Sequence, residues 1–207
     1  MFKALFKTIA VAGAVSAGYI GLQTPSEATV FKAGYAAVGN PTSVPFGWVD
    51  FCARYARECP DSDVSPMDIN LTQQSMRIIS RIDQFVNTSI EPLSDQQHWG
   101  VIDQWDIPTD GRGDCEDYAL LKRKMLIEEG FPQQALLMTV VKDSRNEGHA
   151  VLTVKTNKGE FVLDNLNNEV KPWNASGYRF VKRQSQGNPN VWVTIGEPTS
   201  APLTVSK

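Results

Sequence analysis

Residues 111–124 read GRGDCEDYALLKRK, which places one thiol, Cys115, among three carboxylates, Asp114, Glu116 and Asp117. Negative neighbours raise a thiol's pKa and blunt it as a nucleophile. Either Cys115 is a buried structural residue, or other groups activate it and the acids serve another purpose. Downstream, Tyr118, Leu121, Met125 and Leu126 recur at helical spacing, and Gly130-Phe131-Pro132 ends the pattern. This predicts a helix over 115–129, capped by Asp114 or Gly113. Cys115 then sits at a helix N-terminus, where the partial positive charge of the backbone favours a thiolate.

Beyond this helix the periodicity changes. The runs 135–141 (ALLMTVV), 149–155 (HAVLTVK), 160–165 (EFVLDN), 178–183 and 191–195 (VWVTI) are short, rich in β-formers and separated by Gly, Asn and Asp. They read as strands joined by turns. Upstream, Leu71, Ile78, Ile79, Ile82, Phe85, Val86 and Ile90 step by three and four, predicting a helix over 71–90 with Thr72 as N-cap. Residues 91–113 read as a loop. Residues 29–70, broken by Pro41, Pro45, Pro60 and Pro66, read as irregular apart from an ordered piece from Trp48 to Cys59. Two helices followed by an antiparallel sheet define one α+β domain.

The chain has 207 residues and a formal net charge of −3, without a basic stripe, which argues against a nucleic-acid partner. Residues 1–28 carry Lys3 and Lys7, then a short apolar run, then Ser26-Glu27-Ala28. This is the pattern of a secretory signal cleaved after Ala28, and the apolar run is too short for a spanning anchor. The expected organisation is a signal peptide at 1–28, an N-terminal segment at 29–70 and the main domain at 71–207. The mature protein is expected to be a periplasmic or secreted monomer, with no stable membrane insertion.

Export implies an oxidising compartment, and the three cysteines are Cys52, Cys59 and Cys115. Cys52 and Cys59 are seven residues apart and form the natural disulfide. Cys115 is left as a free thiol, which is buried and inert, a nucleophile, or a bridge to another chain.

A cysteine nucleophile needs a base, and the base needs an orienting group. Of the two histidines, His98 lies in the 91–113 loop and His149 opens a strand. Asp164 stands inside the next apolar run, where an unpaired carboxylate is costly. A two- or four-residue turn at TNKG sets Lys155 opposite Glu160 and Val151 opposite Asp164. His149 and Asp164 are then diagonal neighbours on one face, about 7 Å apart between backbones. A three-residue turn puts them on opposite faces. Taken alone, His149 fits a satisfied core histidine and Asp164 a strand-end residue; with a free thiol, the set resembles a thiol protease.

The stretches GDCEDYALLKRKMLIEEGFP, LLMTVV and GHAVLTVKTNKGEFVLDN, with WVDFC, HWGVIDQW and KRQS, resemble the bacterial transglutaminase-like cysteine proteinases, in the exported branch found in rhizobia and their relatives. The resemblance implies a papain-like or transglutaminase-core fold, with the nucleophile helix packed on an antiparallel sheet. It implies a Cys115–His149–Asp164 triad that cleaves amide bonds of a protein substrate, with a surface or periplasmic protein as the expected target. In calcium-dependent relatives the acids flanking the nucleophile bind Ca²⁺, so Asp114, Glu116 and Asp117 are the implied ligands. Hard carboxylates suit that ion. The same acids also fit a plain capping role at the helix start. Transfer to an amine, as in a transglutaminase, uses the same parts, and a non-catalytic calcium- or partner-binding module is the alternative from another class.

Overall fold

The computed structural model describes residues 33–61 and 63–196; the segment read as a signal peptide lies outside them. The elements run β1 (Val38–Thr42), α1 (Phe46–Arg54), α2 (Gln73–Ser89), β2 (Glu91–Pro92), α3 (Asp95–His98), β3 (Arg112–Gly113), α4 (Cys115–Glu128), β4 (Leu136–Lys142), β5 (Gly148–Thr156), β6 (Gly159–Asp164), β7 (Asn167–Pro172), β8 (Arg179–Gln184) and β9 (Trp192–Ile195). Seven strands form one antiparallel sheet in the order β1-β9-β8-β4-β5-β6-β7. α4 packs across β4, β5 and β6, and α2 lies against α4 and β7.

Strand alternation decides what each face of the sheet holds. On β5, Ala150, Leu152 and Val154 join the large core with Trp48, Ile79, Tyr118 and Leu126. Val151 points the other way, into a smaller cluster with Val141, Val162 and Phe180. Both faces of β5 are therefore apolar, which accounts for its near-continuous hydrophobic run.

α2 starts where its cap dictates: Ser75 N–H donates to Thr72 Oγ1 at 3.1 Å, and Thr72 N–H donates to Ser75 Oγ at 2.8 Å. Ile79, Ile82 and Val86 are buried, but Phe85, expected on the same face, is 53 % exposed. Asp83 takes the buried position beside Ile82 instead, paired with Lys122. α4 is held at its start by the Tyr118 hydroxyl, which donates to Ile90 O at 2.7 Å. It ends at Gly130, whose φ of 88° is the left-handed conformation that favours glycine.

The structure corrects three parts of the sequence reading. Residues 29–70 hold the expected ordered piece, as α1 with the Cys52–Cys59 disulfide, but they also supply a strand that was read as irregular: β1 pairs with β9, and α1 carries Trp48 and Phe51 into the main core. β1 reads VGNPT, an edge strand whose Gly and Pro hide it. β7, NNEVKP, is a largely polar edge strand without an alternating signal. The 91–113 loop contains α3, and its two ends are clamped together by β2 and β3. Trp105 from that loop packs against Trp48 and Trp192 at centroid separations of 6.3 and 6.2 Å, and a Cβ on Gly47 would collide with its ring. Among the described residues, no helix is long and apolar enough to cross a membrane.

Candidate active site

The β5–β6 register carries the expected pairing, Lys155 opposite Glu160 and Leu152 opposite Leu163, through a two-residue turn that places Gly159 at φ 116°. Side-chain alternation then puts His149 and Asp164 on one face. Their side chains close the diagonal: His149 Nε2 lies 2.9 Å from Asp164 Oδ1. The histidine is fully buried.

Cys115, the first residue of α4, is buried and is the free cysteine. The Ala150 N–H donates to its Sγ at 3.4 Å, which fixes the sulfur against the residue following His149. Burial works against a charged imidazole, but hydrogen bonding and charge from Asp164 and Cys115 outweigh it, and the His149 pKa is held up at about 9. His149 is therefore an imidazolium near neutrality, and an imidazolium beside a sulfur stabilises the thiolate.

Asp164 is held on several sides. Its Oδ1 also accepts the Leu166 N–H at 3.0 Å, and its Oδ2 accepts the Tyr178 hydroxyl at 2.6 Å. Asn87 Nδ2 donates to its backbone carbonyl at 2.8 Å. Burial pushes the Asp164 pKa up, but the bonds from His149, Tyr178 and Leu166 outweigh burial and leave it below the ordinary aspartate value. The buried Lys122–Asp83 ion pair, 2.7 Å across, acts electrostatically on the same carboxylate. Tyr178 also lays its ring 5.3 Å from that of His149. Nothing in sequence spacing pointed to Tyr178, which sits immediately before β8.

The acids beside Cys115 form part of a larger buried cluster. Asp95, Asp114, Glu116 and Asp117 are all essentially inaccessible. Ligand oxygens of Asp95, Asp114 and Asp117 lie within 4.8 Å of one another, as do those of Asp95, Asp103 and Glu116. Asp95 and Asp103 were not singled out from the sequence, because the loop that supplies them carried no periodic signal. Asp117 is largely committed to backbone: Oδ1 accepts the Asp106 N–H at 2.7 Å and Oδ2 the Asp114 N–H at 3.2 Å, the latter closing the helix start. Glu116 Oε2 lies 3.1 Å from the Cys115 sulfur, while Glu116 Oε1 and Asp95 Oδ1 have no hydrogen-bond partner among the described residues.

So many buried carboxylates oppose one another's charge. Burial pushes Glu116 well above the glutamate range, with Cys115, Asp114 and Asp117 adding to the shift. Burial raises Asp117 to about 9 against the pull of the Asp106 N–H, and raises Asp95 to about 6. Orphaned buried oxygens among hard anionic donors are what a divalent cation such as Ca²⁺ would satisfy. His98 takes no part: its Nε2 lies 2.8 Å from Asp110 Oδ2 and its ring stacks on Trp99. In the same loop the Gln104 N–H is bonded to Asp95 Oδ2, and Trp105 Nε1 to Asp103 Oδ1 at 3.1 Å.

A helix-initiating thiol packed on an antiparallel sheet, beside a strand-borne imidazole bonded to a carboxylate of the next strand, defines a transglutaminase-like core. The sequence profile of the bacterial transglutaminase-like cysteine proteinases (BTLCP) matches residues 38–200, and the chain belongs to that family. Among solved structures, calcium-bound LapG of Legionella pneumophila shares the fold, with a TM-score of 0.50 and 23 % identity over 61 % of this chain and 75 % of that one. EGTA-treated LapG of the same organism gives a TM-score of 0.47 and 23 % identity over 59 % of this chain and 72 % of that one. No curated protein matches the chain.

Proposed function

We propose that the protein is an exported cysteine peptidase that cleaves amide bonds of a protein substrate through an acyl-enzyme. The observation that carries this reading is the buried His149–Asp164 pair beside the free thiol of Cys115. Cys115 attacks the carbonyl carbon as a thiolate. His149 holds the thiol proton on its sulfur-facing side and passes it to the leaving amine. Asp164 fixes the imidazole and stabilises its charge, and Tyr178 fixes Asp164. The Cys115 backbone N–H, at the start of α4, is the first donor to the developing oxyanion. Water then releases the acyl group, and His149 serves as its base.

Cys115 and His149 are both buried, so a peptide reaches the sulfur only after covering groups move. Our candidate is the loop that holds Asp103 against Glu116 and Asp95.

The carboxylate cluster fits Ca²⁺, and LapG has been solved with that ion bound. Asp95, Asp103, Asp114 and Glu116 would hold it, with Asp117 shaping the helix start behind them. The ion would supply positive charge that offsets the cluster beside the sulfur. Export is supported by the Cys52–Cys59 disulfide, which belongs to an oxidising compartment.

The test is to incubate the protein with periplasmic and surface proteins, with calcium or EGTA, beside Cys115→Ala. The reading requires calcium-dependent cleavage that the variant lacks. Cleavage that survives Cys115→Ala would overturn the nucleophile. A labelled amine added to the same reaction separates hydrolysis from acyl transfer.

A further inference from the structure

The side chain of Asp164 is fixed by His149, Tyr178 and the Leu166 N–H, but its backbone is fixed from a different element. Asp164 and Asn167 face each other across the two-residue turn, Asn165-Leu166, that joins β6 to β7. Because the Leu166 N–H donates to Asp164 Oδ1, the carboxylate is built into that turn. The same oxygen meets His149, so a displacement of the turn is carried directly to the imidazole.

Asn87, near the end of α2, grips the turn from outside. Its Nδ2 donates to Asp164 O at 2.8 Å, to Asn168 Oδ1 at 2.9 Å and to Asn167 O at 3.3 Å. An amide nitrogen carries two hydrogens, so three acceptors use it fully. They also settle which way the amide points, since an oxygen in that place would face acceptors alone. At its other end Asn87 Oδ1 is buried and has no hydrogen-bond partner among the described residues. An unmade buried acceptor is costly, so the position keeps its donor at the expense of its acceptor.

The same stretch of α2 also holds the nucleophile helix. Asp83, one turn before Asn87, pairs with Lys122 of α4 at 2.7 Å. Ile90 O, at the end of α2, accepts the Tyr118 hydroxyl of α4 at 2.7 Å. α2 is therefore tied both to the helix that begins at Cys115 and to the turn that presents Asp164.

We infer that Asn87 is a positioning residue for the site: by holding the Asp164 carbonyl to α2, it sets where the Asp164 carboxylate meets the His149 imidazole. The inference rests on reading His149 and Asp164 as the base and its orienting acid. Asn87 acts through Asp164 and has no direct part in the chemistry.

The test follows the His149 ring Cε1–H NMR signal against pH in the full chain, for the wild type, Asn87→Ala and Thr72→Ala. Thr72→Ala removes the cap at the far end of α2, which loosens the helix without touching the turn. The His149 ring faces Asp164, Cys115 and Tyr178, and the wild-type midpoint is expected near 9. The inference requires Asn87→Ala to lower that midpoint by about one pH unit, a tenfold change in proton affinity, and Thr72→Ala to leave it in place. Asn87→Leu, of similar size and without a donor, should shift it equally and decides if Asn87→Ala does not fold. In the wild type the Asn87 side-chain amide should also exchange slowly with water. The inference is overturned if the Asn87 variants titrate with the wild type, if Thr72→Ala moves the midpoint as far, or if the Asn87 amide exchanges freely. A wild-type midpoint near the ordinary 6.5 overturns the underlying reading of the His149–Asp164 pair, and the inference with it.

Discussion

The Tyr178 hydroxyl donates to Asp164 Oδ2 at 2.6 Å, on the oxygen opposite the one that meets His149. The aspartate is thus gripped from both sides, and its orientation does not depend on the histidine alone. A hydrogen bond to a charged group contributes about 1.5–3 kcal/mol, which corresponds to about 10- to 100-fold in rate if it is felt mainly in the transition state. Tyr178→Phe, which keeps the ring against His149, is expected to lower kcat by about that factor with KM nearly unchanged. Steady-state peptide hydrolysis checks it.

His149 gives the stability a pH signature. Its folded pKa, about 9, lies above the ordinary 6.5, so its stabilisation is fully present below pH 6.5 and is lost as pH rises through 9. The shift corresponds to about 3 kcal/mol. Urea unfolding between pH 6 and 10 should show this loss in the wild type, and His149→Ala should remove most of that slope.

The acidic cluster has the opposite relation to its usual state. Asp95, raised to about 6, and Glu116, pushed well above the glutamate range, hold protons that a cation must displace. Calcium is therefore expected to bind more tightly at pH 8 than at pH 5.5, and to raise the melting temperature more at the higher pH. Glu116→Gln, which removes the carboxylate nearest the sulfur, should weaken calcium by about tenfold or more. Calorimetry with calcium and the variant checks both.

Lys122 and Asp83 form a fully buried pair between α4 and α2. Removing one partner leaves the other's charge stranded, so Lys122→Met alone should cost about 3–5 kcal/mol. Lys122→Met with Asp83→Leu should recover most of that loss. Urea unfolding of the single and double variants decides it.

The Cys52–Cys59 bridge closes a short loop between α1 and Pro60. For a loop of that length the chain-entropy account gives about 2 kcal/mol. A Cys52→Ser, Cys59→Ser variant should lose about that much stability while retaining its fold, as followed by urea unfolding.

The sequence carried the interior of this fold more clearly than its edges. α2 and α4 were legible because apolar spacing and an N-cap agreed, with a terminating glycine as well for α4, and the central strands because β-branched runs alternated with turns. Phe85 broke the pattern because a buried ion pair, Asp83 with Lys122, took the place that hydrophobic spacing assigned elsewhere. β1 and β7 escaped because edge strands need little apolar character. The proximity of His149 and Asp164 was readable from strand parity on condition of a two- or four-residue turn, and the observed two-residue turn meets that condition. Tyr178, Asp95 and Asp103 were not readable, because no spacing rule encodes how they approach the site.

The central claim is that His149 controls the reactivity of Cys115, the free cysteine. The most direct measurement is the rate at which iodoacetamide alkylates Cys115, followed by intact mass from pH 6 to 9 in the wild type and in His149→Ala. The account predicts a wild-type rate at least tenfold above the variant's at pH 6.5, with the gap narrowing as the pH rises toward the His149 value of about 9. Equal rates with the same pH dependence in the two proteins would contradict it.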